Sequence, residues 1–152
     1  MTIENDILIP EFASLLREQK EVLFTPSGVS MRPFIEGGKD SVILQPIVTP
    51  PRVGDIILAS VTFPSRGKTY VLHRLVRITF DPKGVIYVLQ GDGNLSGEEI
   101  CRRSDLIGRV SAIQSPDGRK KPLTDGRVWH YLLPVRKWLL KIYRHTWLKW
   151  KY

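Results

Sequence analysis

The sequence predicts a mostly β protein: a coiled antiparallel sheet or barrel with a short N-terminal helix and a basic amphipathic C-terminal helix. Three observations carry this. Short runs rich in Val, Ile and Leu alternate with Gly/Pro turns along most of the chain. Only Ile9 to Lys20, among the residues before 126, shows helical spacing of its apolar side chains. After Asp125 acidic residues cease, and all 4 tryptophans appear.

Taken in order, Ile9 to Lys20 reads as an edge helix. Pro10 suits its first position, Phe12, Leu15 and Leu16 turn inward, and Arg17, Glu18 and Lys20 face water. Glu21 to Phe24 is a strand leading into a Ser-rich loop. Gly37-Gly38-Lys39-Asp40 turns the chain into a strand over Ser41 to Pro46. Pro50 to Asp55 turns it again, into Ile56 to Val61. Thr69 to Phe80 is the longest strand, rich in β-branched residues. Asp81-Pro82-Lys83-Gly84 is a tight hairpin signal, and Val85 to Gln90 returns. Gly91-Asp92-Gly93-Asn94 breaks that strand, and Leu106 to Ile113 is the last one. From Pro134 a helix gathers Val135, Trp138, Leu139, Ile142, Tyr143, Trp147 and Trp150 near one face, with Arg136, Lys137, Lys141, Arg144 and Lys149 largely opposite. Three roles stay open for it: covering the core, lying on an anionic membrane surface, or binding a partner.

The length of 152 residues fits one core over 1–126 with a basic, Trp-rich extension over 127–152. Cys101 is the lone cysteine, so no internal disulfide forms. With 3 scattered histidines, neither a metal nor any other cofactor is expected. The net charge of +8 admits nucleic acid, an anionic membrane or acidic peptides as partners. No recognition motif appears, so no specific nucleic acid is expected. The N-terminus lacks the basic and apolar regions of a secretory signal, and no apolar run approaches the ~20 residues of a membrane span. The expected location is cytoplasmic, or peripheral at a membrane surface.

The chemistry centres on Thr25-Pro26-Ser27-Gly28-Val29-Ser30-Met31-Arg32-Pro33. Its prolines fix the backbone and Gly28 permits positive φ, so Ser30 can be held in one direction. A serine becomes a nucleophile when a base takes its proton. His73, in Val71-Leu72-His73-Arg74-Leu75, is the candidate base. A loop hydroxyl and a core histidine are the ordinary alternatives for these two residues. Ser27 and the Ser30 N–H are candidate oxyanion donors. Asp92 is the candidate orienter of His73, with Glu98, Glu99 and Asp105 as alternatives. Arg74 points to the other face and pairs with a carboxylate or carbonyl. Asp55 is a turn residue bonding its own loop.

The stretch from Pro26 to Pro33 resembles the nucleophile box of type I signal peptidases and the serine box of LexA-type self-cleaving repressors. Its Ser-Gly-x-Ser-Met spacing is closer to the LexA form, and the proline two after the methionine is the signal-peptidase feature. Val53-Gly54-Asp55-Ile56-Ile57, Leu89-Gln90-Gly91-Asp92-Gly93-Asn94 and Leu106-Ile107-Gly108-Arg109-Val110 resemble later family segments in the same order. Histidine at position 73 is similar to the Ser-His arrangement of archaeal and endoplasmic-reticulum-type signal peptidases.

The resemblance covers about Phe24 to Val110. It implies a LexA/signal-peptidase-like β core and amide hydrolysis through an acyl-enzyme, with Ser30 as nucleophile, His73 as base and Asp92 as third member. It also implies a protein or peptide substrate bound as an extended strand near Ser27 and Met31, with small side chains at the scissile bond. A non-catalytic peptide-binding module on the same scaffold is the alternative, and binding of nucleic acid through the basic surface ranks last.

Overall fold

A computed structural model describes residues 3–65, 67–94, 97–127, 129, 135 and 137–142. A helix, α1 (Ile3–Arg17), precedes the strands β1 (Val22–Phe24), β2 (Ser41–Gln45), β3 (Ile56–Phe63), β4 (Gly67–Asp81), β5 (Gly84–Gln90) and β6 (Glu99–Cys101). A single 3-10 turn (Arg103–Asp105), β7 (Leu106–Gln114) and β8 (Lys120–Lys121) follow. The strands form one antiparallel sheet in the order β1-β2-β7-β3-β4-β5-β6, with β8 beside β7.

The expected β-rich class is therefore found, but the barrel alternative is not. Among the described residues β1 and β6 form the two ends of an open sheet, and each is only three residues long. Short terminal strands limit the bare backbone that an open edge presents.

The N-terminal helix also differs from expectation. It begins at Ile3, encloses Pro10 rather than starting on it, and stops at Arg17. Its end is set by Gln19 at φ 63, with Lys20 N–H donating to Leu15 O at 3.0 Å and Gln19 N–H to Leu16 O at 3.0 Å. This is the left-handed helix stop that Gly or Asn usually supplies.

The run Ile56-Ile57-Leu58-Ala59 is buried throughout, because β3 lies inside the sheet with both faces covered. One face packs with Ile9 and Leu16 of α1 and with Met31, Ile35, Val42 and Leu44. The other packs with Leu75, Leu89, Cys101 and Leu106. The register sets Ile57 opposite His73 and Ile56 opposite Arg74. Neighbouring strand residues point to opposite faces, so His73 and Arg74 diverge as expected.

Strand β4 outruns its partner β5. Residues 74–81 pair with β5, whereas 67–73 pair with β3 on one side only. Among the described residues no strand pairs with the other edge of 67–73.

In the C-terminal segment Arg127, Trp129, Val135 and residues 137–142 are helical. Pro134, Arg136, and the helix expected over 143–152 with Tyr143, Arg144, Trp147, Lys149 and Trp150, lie outside the described residues. Trp129 is buried, so the expected boundary at 126/127 falls ahead of a residue that belongs to the core. No helix among the described residues is long and apolar enough to cross a membrane.

Candidate active site

The serine loop is fastened from two sides. After Ser30 the chain makes a helical turn, with Arg32 N–H donating to Val29 O at 3.2 Å and Phe34 N–H to Met31 O at 3.0 Å. Gly28, at φ 91, lies against Gly37, where an added Cβ would sit 1.9 Å from Gly28 O. Gly38 N–H closes that side onto Pro26 O at 2.7 Å. On the other side, Gly93 N–H donates to Ser30 O at 2.7 Å, and Asp92 N–H to Met31 Sδ at 3.5 Å. A Cβ at Gly91 would lie 2.5 Å from Ser30 O, and one at Gly93 2.7 Å from Val29 O. Both glycines are thus needed for one backbone to lie against the other.

Ser30 and His73 line the same cavity of about 380 Å³, together with Ser27, Met31, Asn94 and Glu99. Among the described residues no direct hydrogen bond joins Ser30 Oγ to His73. The free edge of 69–73 forms one wall, and Phe24, Leu58 and Phe63 add apolar surface.

His73 Nδ1 lies 2.8 Å from Glu99 Oε2, and both side chains are almost fully buried. In the neutral ring, an acceptor-only carboxylate at Nδ1 selects the tautomer with the proton there, and Nε2 is then the nitrogen that can accept. This corrects the expectation that Asp92 orients His73. Asp92 is instead the counterion of Arg74, which donates from Nε at 2.9 Å and from Nη2 at 2.8 Å to the two carboxylate oxygens. Strand register explains the exchange. Arg74 pairs with Gln90, the residue before Gly91-Asp92, so the loop carries Asp92 onto the arginine. Glu99 pairs with Leu89, on the face that His73 shares with Leu75.

Both N–H groups of Arg74 Nη1 also find acceptors. Nη1 donates to Gly54 O at 2.7 Å and to Thr124 O at 2.6 Å, and the guanidinium stacks 5.1 Å from the Phe34 ring centre. Trp129 Nε1 donates to Asp92 O at 2.6 Å and meets Phe34 edge-on. Asp55 bonds its own turn, accepting from Arg52 N–H at 2.9 Å.

The structure therefore brings together Ser27, Ser30, Met31 and His73, and assigns Asp92 to the scaffold beneath them. Glu99 lies on a strand too short to show its alternation in the sequence. It stands two residues before the buried Cys101, and hence on the same inward face of β6. Glu98 instead pairs with Arg77 at the surface, and Asp105 accepts from Arg102 N–H. No family model, curated protein or solved structure matches this chain.

Proposed function

We propose that the protein is a serine endopeptidase of the signal-peptidase/LexA type, cutting an extended segment of a protein or precursor peptide. The observation that carries this is the shared cavity: Ser30 and His73 line it together, with Glu99 on the far nitrogen of the imidazole.

Three groups divide the chemistry. Glu99 fixes the ring and stabilises the imidazolium that forms. His73 Nε2 takes the proton from Ser30 Oγ as that oxygen attacks the carbonyl carbon. The Ser30 N–H, which has no acceptor among the described residues, and the Ser27 hydroxyl receive the developing oxyanion. His73 then returns the proton to the leaving amine, and water cleaves the acyl-enzyme by the same route. The catalytic bond between Ser30 and His73 tightens on substrate binding, as such contacts commonly do.

The bare edge of 67–73 suits a substrate strand, whose main chain would continue the ladder where β5 leaves off. Its side chains would alternate between the cavity and solvent.

The test combines a fluorophosphonate probe with a peptide library read by mass spectrometry. Wild type is labelled at Ser30 and cuts a defined set of peptides. Ser30→Ala and His73→Ala remain folded and lose at least about 10³-fold in cleavage. Hydrolysis that survives both substitutions overturns the proposal. The missing direct bond between Ser30 and His73 favours a second reading, a peptide-binding module on the same scaffold. That reading expects peptide binding with no labelling of Ser30.

A further inference from the structure

The +8 net charge is not spread over the molecule. Of 23 Lys and Arg, seven lie in residues 126–152, and none of the 15 Asp and Glu does. The first 125 residues hold the other 16 basic and all 15 acidic side chains, and are close to neutral. Within the basic segment, Val135, Trp138, Leu139 and Ile142 are 46, 72, 38 and 48 % exposed. They recur at the i, i+3, i+4, i+7 spacing of one helix face. Lys137 and Lys141 stand beside that stripe and are exposed as well.

We propose that this C-terminal helix is a docking surface for an anionic lipid bilayer. Charge complementarity selects the partner. A cationic helix carrying aliphatic side chains and an indole on one face lies in the bilayer interface, with its basic side chains at the headgroups. Tryptophan is the side chain most at home at that depth. A protein partner would need an acidic groove of matching shape, whereas an anionic membrane offers charge along the whole segment. The surface is also tied to the cavity. Trp129 is fixed to Asp92, and Val135 follows six residues later, so the stripe begins within about 22 Å of Trp129. Docking therefore holds the cleft near the membrane plane.

The test uses the full chain with vesicles of phosphatidylcholine alone, or of phosphatidylcholine and phosphatidylserine at about 70:30, in about 0.1 M salt. Binding is read by co-sedimentation. Partition into the anionic vesicles should exceed that into neutral ones at least about 10-fold, and fall at least about 5-fold at 0.5 M salt. Trp138→Ala and the pair Lys137→Glu, Lys141→Glu should each weaken it at least about 5-fold, with unchanged thermal melting. Equal uptake by both vesicle types overturns the proposal, as does undiminished binding by the variants. So does a dimer in analytical ultracentrifugation, or salt-sensitive binding of random RNA, when no vesicle is taken up.

Discussion

Two carboxylates lie within a few residues of one another in sequence, and their surroundings give them different work. Glu99 touches an imidazole whose charge changes during the proposed reaction, whereas Asp92 touches a guanidinium whose charge does not. Their amide variants should therefore separate catalysis from stability. Glu99→Gln removes the charge that supports the imidazolium and should lower kcat about 10²–10⁴-fold, with a small change in unfolding free energy. Asp92→Asn leaves Arg74 charged and unbalanced in the interior and should cost about 3–5 kcal/mol in denaturant unfolding. Cys101 supplies a pH test beside the same site. Burial first, then the Asp105 and Glu99 carboxylates, push its thiol from the ordinary 9.0 up to about 12. The unfolded chain loses this proton near pH 9 while the folded chain keeps it, so stability falls as pH rises between those values. Cys101→Ala should flatten that decline in alkaline denaturation curves. Iodoacetamide should leave native Cys101 unmodified at pH 8.5 and alkylate it once urea unfolds the chain.

Pattern strength decided which elements could be read from the sequence. β3, β4 and β5 are long runs of apolar and β-branched residues closed by Gly/Pro turns, and periodicity finds them. β6 is Glu-Ile-Cys and β8 is Lys-Lys, too short to show a period, and each exists because a neighbouring strand offers it hydrogen bonds. Pro10 drew the start of α1 too late, because proline is a better marker of a helix start than of a helix interior. Within the site, the serine and histidine were recognisable by residue type and order. The partner of the histidine was not, because it depends on which acid the β4–β5–β6 register delivers to which face. Loop contact is the part of the site most open to a clean test. In Gly93→Ala the new methyl would meet Val29 O at 2.7 Å and Arg32 O and Ser30 O at 3.3 Å, all backbone atoms that cannot swing aside. The serine loop must retreat. Cleavage should fall about 10²-fold, since a displacement near 1 Å is enough for that. The loss of stability should be about 1–3 kcal/mol, read from denaturant midpoints.

At the scale of the whole molecule, the two described tryptophans, Trp129 and Trp138, differ in what surrounds them. Trp129 is 8 % exposed, donates to Asp92 O and closes an aromatic contact with Phe34 over the Arg74 guanidinium. It completes the shell of a buried ion pair, and through Asp92 that pair reaches Met31 and the serine loop. Trp138 is 72 % exposed on a helix that also exposes Lys137 and Lys141. One substitution at each position should therefore produce opposite phenotypes. Trp129→Ala opens a void beside Arg74 and removes a donor, and should cost about 3–5 kcal/mol in unfolding free energy. Peptide cleavage should fall with it, because the loop carrying Ser30 loses the base on which it is fixed. Trp138→Ala should change unfolding by no more than about 0.5 kcal/mol and leave hydrolysis of a soluble peptide intact, while weakening vesicle binding. Thermal melts, peptide turnover and co-sedimentation on the two variants form a crossed design. If Trp138→Ala destabilises the fold as much as Trp129→Ala, the helix is part of the core rather than a surface for lipid. If Trp129→Ala leaves stability and turnover untouched, the cluster around Arg74 does not hold the serine loop in place.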